Sequence, residues 1–173
     1  MLHSDIIKLR ATALEDLDFV LSAEGNELNR RFVGQWSREQ HAAALADEDI
    51  RHLIVEGPAQ ERVGYVILTG IQDPNLTVCI QRLVIQTKGC GYGTLTLKLL
   101  IHWAFAHTDT HRLWLDVKDH NVRAQHVYAK AGFELEGTLR ECLRTEEGFE
   151  SIQIMSILRH ELRTDDSLCQ PDR

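Results

Sequence analysis

The stretch Lys88-Gly89-Cys90-Gly91-Tyr92-Gly93-Thr94 decides how this chain of 173 residues is read. It lies between an apolar strand pattern, Val78 to Ile85, and a helical pattern from Thr94 to His107. The first turn of a helix has backbone N–H groups without internal partners and carries partial positive charge. Glycines let an anion approach that backbone with no Cβ in the way. The stretch therefore points to a ligand carrying a pyrophosphate, with a ligand-free strand–helix turn as the bland alternative. Spacing narrows the choice. No Gly-x-x-x-x-Gly-Lys-Ser/Thr run occurs, and Gly89, Gly91 and Gly93 are too tightly spaced for a dinucleotide fingerprint.

A second segment, Asn121-Val122-Arg123-Ala124-Gln125-His126-Val127-Tyr128, continues to Gly132-Phe133. Asn121 is a good N-cap, and Ala124, Val127, Tyr128 and Ala131 form an i, i+3, i+4, i+7 stripe. Gly132 stands where a helix stops. On its own this is an ordinary amphipathic helix with a core-facing tyrosine.

Together the two segments resemble the GNAT superfamily of acyl-CoA-dependent N-acetyltransferases. The family's cofactor signature is Gln/Arg-x-x-Gly-x-Gly/Ala, and its second signature is Asn-x-x-Ala-x-x-x-Tyr-x-x-x-Gly-Phe. Asn121, Ala124, Tyr128, Gly132 and Phe133 match the second at every fixed position. In the first, Lys88 stands where the family prefers Gln or Arg, with Gly91 and Gly93 as the glycines; a register on Gln86, Gly89 and Gly91 is the alternative. The runs Leu113 to Val117 and Gly137 to Glu141 look most like the branch that acetylates protein N-termini and small amines.

The resemblance spans about Ile7 to Leu162 and implies the α/β (α+β) acyl-CoA N-acyltransferase fold. That fold is a central mixed, mostly antiparallel sheet flanked by helices. It implies acetyl-CoA as cosubstrate, held by the backbone of Leu83, Val84 and Ile85 and by Lys88, Gly89, Cys90, Gly91, Tyr92, Gly93 and Thr94. Asn121 and Ala124 would contact the pantetheine arm, and Tyr128 would return a proton to the departing thiolate. A phenol is protonated at neutral pH and can serve as that acid. Direct attack by the amine is favoured over an acyl-enzyme on Cys90, which lies in the phosphate loop away from the thioester.

The general base is less legible. Asp116, Glu141, Glu24 and Glu27 are all candidates, each equally readable as a solvated carboxylate. Glu141, on the long strand after the Tyr128 helix, is preferred. Asn26 and Trp36, in a segment read as irregular, are candidates for the substrate wall, since binding residues favour such loops. A non-catalytic acyl-CoA sensor is the rival function, and a nucleotide-dependent oxidoreductase is a distant third.

Composition agrees with this reading. A chain with 43% apolar residues can bury a substantial core as one domain over 1–162, with a polar tail over 163–173. A net charge of −7 argues against a nucleic-acid surface. Four cysteines without a Cys-x-x-Cys pair, and a polar start, fit reduced thiols in the cytoplasm. His102 and His107 are five apart, which is no metal-ligand spacing, so no metal is expected. No membrane partner is expected, and both a homodimer and a monomer stay open.

Element by element, a first strand is read at Ile6 to Arg10 and a helix at Leu14 to Glu24, with Leu14, Leu17, Asp18 and Leu21 on its inner face. Ser37 to Gln40 is a capping box for a helix to about Ala46. Strands follow at His52 to Glu56, Val63 to Gly70, Arg112 to Val117, Glu134 to Arg144 and Phe149 to Leu158.

Overall fold

The computed structural model describes residues 2–4 and 6–162. The polar tail expected over 163–173 lies outside the described residues. Eight strands form one sheet in the order β1-β2-β3-β4-β5-β6-β8-β7. They are β1 (Leu2–His3), β2 (Lys8–Ala11), β3 (Ile50–Glu56), β4 (Arg62–Thr69), β5 (Thr77–Ile85), β6 (Arg112–Lys118), β7 (Glu134–Thr145) and β8 (Gly148–Leu158). Every neighbouring pair is antiparallel except β5 with β6. The mixed, mostly antiparallel sheet read from the sequence is the one found.

Helices cover both faces, which is why the central strands read as unbroken apolar runs rather than alternating ones. The longest helix, α4 (Tyr92–His107), buries Leu97, Leu100, Ile101 and Ala104 in a cluster with Val66, Leu68, Leu113 and Ile157. On the other face Val20 and Ala23 of α1 (Leu17–Gly25) pack with Ile54, Tyr65, Ile67 and Val84. Tyr65 and Val66 are adjacent on β4, and they feed opposite clusters because successive strand side chains alternate. The remaining helices are α2 (Glu27–Arg30), α3 (Arg38–Leu45) and α5 (Val122–Lys130).

The ends of the elements follow the caps. Ser37 Oγ accepts from Gln40 N at 3.3 Å while Gln40 Oε1 accepts from Ser37 N at 2.8 Å, closing the capping box that starts α3. Asn121 Oδ1 accepts from Ala124 N at the start of α5, and Gly132 leaves it at φ 103°.

Three readings needed correction. The helix read as continuous from Leu14 begins as a 3-10 turn over Leu14–Asp16. There the Asp16 carboxylate takes the Ala13 N–H at 2.9 Å and the Arg10 guanidinium at 2.6 Å. The buried face of α1 is then Leu17, Val20, Ala23 and Glu24, whereas Leu14 and Asp18 are exposed. The segment read as irregular contains α2, started by Asn26, whose Oδ1 accepts from Leu28 N at 2.9 Å.

The C-terminal end of α4 is held by two side chains, Thr108, whose Oγ1 donates to the Ala104 carbonyl at 2.5 Å, and Arg159. Arg159 donates to the carbonyls of Phe105 (2.6 Å), Thr108 (2.7 Å) and Thr110 (2.9 Å). A cation there meets both the unpaired carbonyls and the negative end of the helix dipole. Arg159→Met should lower stability by about 2 kcal/mol, the range for hydrogen bonds to a charged group. Thermal denaturation should show this as a melting temperature about 4–8 °C lower. An unchanged midpoint would remove the capping role.

Candidate active site

The site originates in a defect of the ladder. Parallel pairing of β5 with β6 covers only Thr77–Cys79 against Arg112–Trp114. Beyond that point β5 runs on to Ile85 along β4, and β6 to Lys118 along β8. Ile67 pairs with Arg82 and Leu68 with Ile80, so Gln81 is one residue too many on β5. That residue is a bulge, and a bulge bends its strand. A cavity of about 950 Å³ opens where the two strands part.

One end of the cavity is the glycine loop. Gly89 and Gly91 have φ of 86° and 76°, conformations that favour glycine, and there is open space where a Cβ would stand. Helix α4 starts at Tyr92, two residues before the sequence reading, because Gly91 already makes the turn as its N-cap. No side chain caps this end, so the first-turn amides remain available to an anion. Lys88 lines the cavity and Gln86 does not, which fits the Lys88 register.

The middle of the cavity brings Asp116, Asn121, Ala124 and Tyr128 together with Leu83, Val84 and Ile85. Burial, then the nearby Asp116 charge, pushes the Tyr128 phenol up to about 12. Asp116 is accessible to solvent on β6, and partial desolvation by the cleft walls raises its carboxyl above its ordinary value. Asp116 has no cationic partner among the described residues, whereas Glu150, the other acid lining the cavity, pairs with Lys118 at 2.8 Å.

The far wall is formed by Arg31, Phe32, Val33 and Gly34 with His120 and Arg144. The Phe32 and His120 rings lie 5.6 Å apart. Behind this wall sits a buried polar chain. Glu24, 1% exposed, accepts from Tyr65 Oη at 2.5 Å, Arg82 Nη1 at 2.7 Å and Trp36 N at 3.0 Å. Arg82 also donates to the Gly34 carbonyl and stacks over the Trp36 ring at 4.4 Å. His41 Nε2 lies 3.3 Å from Glu24 Oε1, His41 Nδ1 lies 3.1 Å from His52 Nε2, and His52 Nδ1 lies 2.9 Å from Thr12 Oγ1.

Most residues anticipated for the cofactor line the cavity: Leu83, Val84, Ile85, Lys88, Gly89, Gly91, Tyr92, Gly93, Thr94, Asn121, Ala124 and Tyr128. Cys90 does not; it is exposed, with Sγ 3.8 Å from the Lys88 carbonyl. Glu141, preferred as base, is an exposed residue at φ 51° in the bulge of β7, tied through its N–H to Ser151 Oγ, and lies outside the cavity lining. Glu24 is saturated by donors, and Glu27, on α2, lies outside the cavity lining. Asn26 caps α2 and Trp36 packs into the second core cluster, so neither lines the cavity. Sequence reasoning passed over Asn29, Arg82, Phe32, Lys118 and His120, none of which belongs to either motif; Arg82 and Lys118 lie in or beside strands whose apolar pattern says nothing of a polar role.

Comparison with known proteins gives the same family as the two motifs. The model of the acetyltransferase (GNAT) domain matches residues 7–134. Spermidine N(1)-acetyltransferase of Escherichia coli (strain K12) is 26% identical over 166 residues, spanning 90% of this chain and 87% of that protein. The Vibrio cholerae counterpart is 23% identical over 164 residues, spanning 88% of this chain and 93% of that protein. Among solved structures, spermidine N-acetyltransferase from Vibrio cholerae in complex with CoA and spermine superposes with a TM-score of 0.81 at 22% identity. The match covers 90% of this chain and 96% of that one. A dodecameric structure of the same enzyme gives a TM-score of 0.78 at 22% identity, with 93% and 98% covered. With its cleft, glycine loop and tyrosine helix in place, the chain belongs to the GNAT acetyltransferase family and is an acetyl-CoA-dependent N-acetyltransferase.

Proposed function

We propose that the chain acetylates a small primary amine by direct attack, with Asp116 as general base and Tyr128 as general acid. The observation that carries this reading is that both groups line one cleft, where desolvation raises the pKa of each. An ammonium must lose a proton before its nitrogen can attack a carbonyl. A carboxylate whose pKa is raised toward neutrality is a better base for that step. The departing sulfur must then gain a proton, and Tyr128 stays protonated up to about pH 12, so it can supply one.

The residues present suit acetyl-CoA. Uncapped amides of α4 and the Lys88 and Arg123 cations would meet the diphosphate, and the free edge of β5 from Leu83 to Ile85 would meet the pantetheine amides. The thioester supplies the activated acetyl group. The names of the spermidine N(1)-acetyltransferases support a polyamine as the acceptor, and those relatives match nine-tenths of this chain. The rival sensor reading does not explain a carboxylate placed beside the tyrosine without a cation to hold it.

Copies of the chain would also assemble. Strand β7 is an exposed edge carrying Leu135 (55% exposed) and Leu139 (51%), the kind of edge that proteins otherwise cover or charge. The dodecamer formed by the Vibrio cholerae enzyme supports an assembly of some order. No helix among the described residues is long and apolar enough to cross a membrane.

Three outcomes are expected. Asp116→Asn should lower kcat by roughly 100-fold and abolish the acid limb of the kcat–pH profile. In the parent enzyme that limb should lie above the ordinary carboxylate range near 4, because partial desolvation raises Asp116. An intact limb in the variant would rule out Asp116. Tyr128→Phe should slow turnover roughly 10- to 100-fold without an alkaline limb appearing below about pH 12 in the parent. Light scattering should give a mass several times the 19.8 kDa of one chain, and a monomer at micromolar concentration would refute assembly. A panel of spermidine, spermine, aminoglycosides and short peptides, read by CoA release, identifies the acceptor.

A further inference from the structure

We propose that Asn29 is a positioning residue for acetyl-CoA: it holds the Lys88 ammonium at the diphosphate loop and ties that loop to the far wall of the cavity, which would face the acceptor amine and is called the acceptor wall below. The proposal rests on acetyl-CoA being the cosubstrate.

Asn29 is 5% exposed, and its side chain makes three hydrogen bonds, one to α1 and two to the loop between β5 and α4. Its Nδ2 donates to the Ala23 carbonyl of α1 at 2.8 Å and to Gln86 Oε1, just past β5, at 3.1 Å. Its Oδ1 accepts from Lys88 Nζ at 2.6 Å. The chemistry of the partners fixes the amide orientation. An ammonium only donates and the other two partners are oxygens, so a flipped amide would set NH₂ against NH₃⁺ and oxygen against oxygen. No other residue type of this size offers one acceptor and two donors in that arrangement.

Lys88 is otherwise a long side chain beside a second cation, Arg123. Burial and that neighbour both hold its pKa below the usual lysine value. Left free, it would turn toward solvent and away from Arg123. The bond to Asn29 keeps the ammonium in the cavity lining, among Gly89, Gly91 and Tyr92, where a diphosphate would sit. A charge held in advance costs less ordering when the ligand arrives. The tether has a second consequence. Asn29 belongs to α2, and the next turns of chain, Arg31 to Gly34, form the acceptor wall. The cofactor loop and the acceptor wall therefore share one buried amide.

The test compares two acyl donors: acetyl-CoA, and acetyl-pantetheine, which has the same thioester but no diphosphate. Asn29→Ala and Lys88→Met should each raise KM for acetyl-CoA roughly 10-fold, the loss expected for one hydrogen bond to a charged group, with kcat within about 2-fold. With acetyl-pantetheine both variants should match the parent enzyme. The double variant should be no worse than Lys88→Met alone, because the two residues act through one contact. Equal losses with both donors would show that Asn29 supports only the fold, and additive losses would show that the two residues act separately; either result overturns the proposal. Should Asn29→Ala fail to fold, Lys88→Met carries the test, and indifference of that variant to the donor overturns it. A parent enzyme that turns over neither donor sinks the cosubstrate reading and the proposal with it.

Discussion

Two parallel strands that stop pairing after three residues each are the constraint on which the rest of this molecule depends. Each strand is secured on its outer side, β5 by β4 and β6 by β8, so they can part without either one fraying. At the closed end Val78 and Leu113 are buried in the main core. At the open end the strands expose unpaired backbone groups toward each other, in the low-dielectric setting where such groups most need partners. An extended ligand with amides of its own is the natural complement. The opening also lies at the carboxyl ends of parallel strands, where the next helix presents its N-terminus, so backbone donors and helix dipole converge there beside Lys88 and Arg123.

Rigidity is distributed to match. Helix α4 is buried on much of its circumference, so the amides at its start are fixed by packing before a ligand arrives. Helix α5 has no residue in the fully buried class and meets the core only through Ala124, Val127, Tyr128 and Ala131. That partial burial leaves the Tyr128 ring in the cleft while raising its pKa. On the acceptor side the stiffness comes from polar bonds. Thr12 Oγ1, His52, His41 and Glu24 follow one another at 2.9, 3.1 and 3.3 Å, a line of close polar contacts behind the wall. Burial, then the neighbouring His41, holds His52 down to about 4, so the His52 ring stays neutral across the physiological range. Glu24 is thus committed to Arg82 and the Trp36 backbone, and is unavailable to an acceptor.

The parts legible in the sequence are those where local chemistry and tertiary role coincide. Gly89 and Gly91 declare a left-handed turn, Asn121 and Gly132 bracket a helix, and a mixed sheet follows from the order of apolar runs. Asp116 was visible only as one acid among four. It stands out from Glu141 because β6 borders the cleft and the β7 bulge does not, a fact about strand order rather than about either residue. Asn26 and Trp36 failed as wall residues for a related reason. An asparagine before Glu27-Leu28-Asn29 is an N-cap by local preference, and a tryptophan beside a buried arginine is held by stacking. Both roles are structural, and both take the side chain away from the cavity.

What no local pattern could supply is the register between distant segments. Asn29 lies in the segment read as irregular, with no periodicity to single it out. Its significance arises because α2 crosses over the end of β5, within reach of Gln86 and Lys88, nearly sixty residues away along the chain. The same holds for Lys118 Nζ, which donates to the Arg31 carbonyl at 2.6 Å and so fixes the acceptor wall from the opposite strand. The acceptor wall is therefore bonded to both sides of the cleft, to the glycine loop through Asn29 and to β6 through Lys118. A wall bonded on both sides cannot shift at one contact without loading the other. The glycine loop, the Arg31–Gly34 wall and β6 are in this way joined by one connected set of bonds, and motifs read one segment at a time recover only its ends.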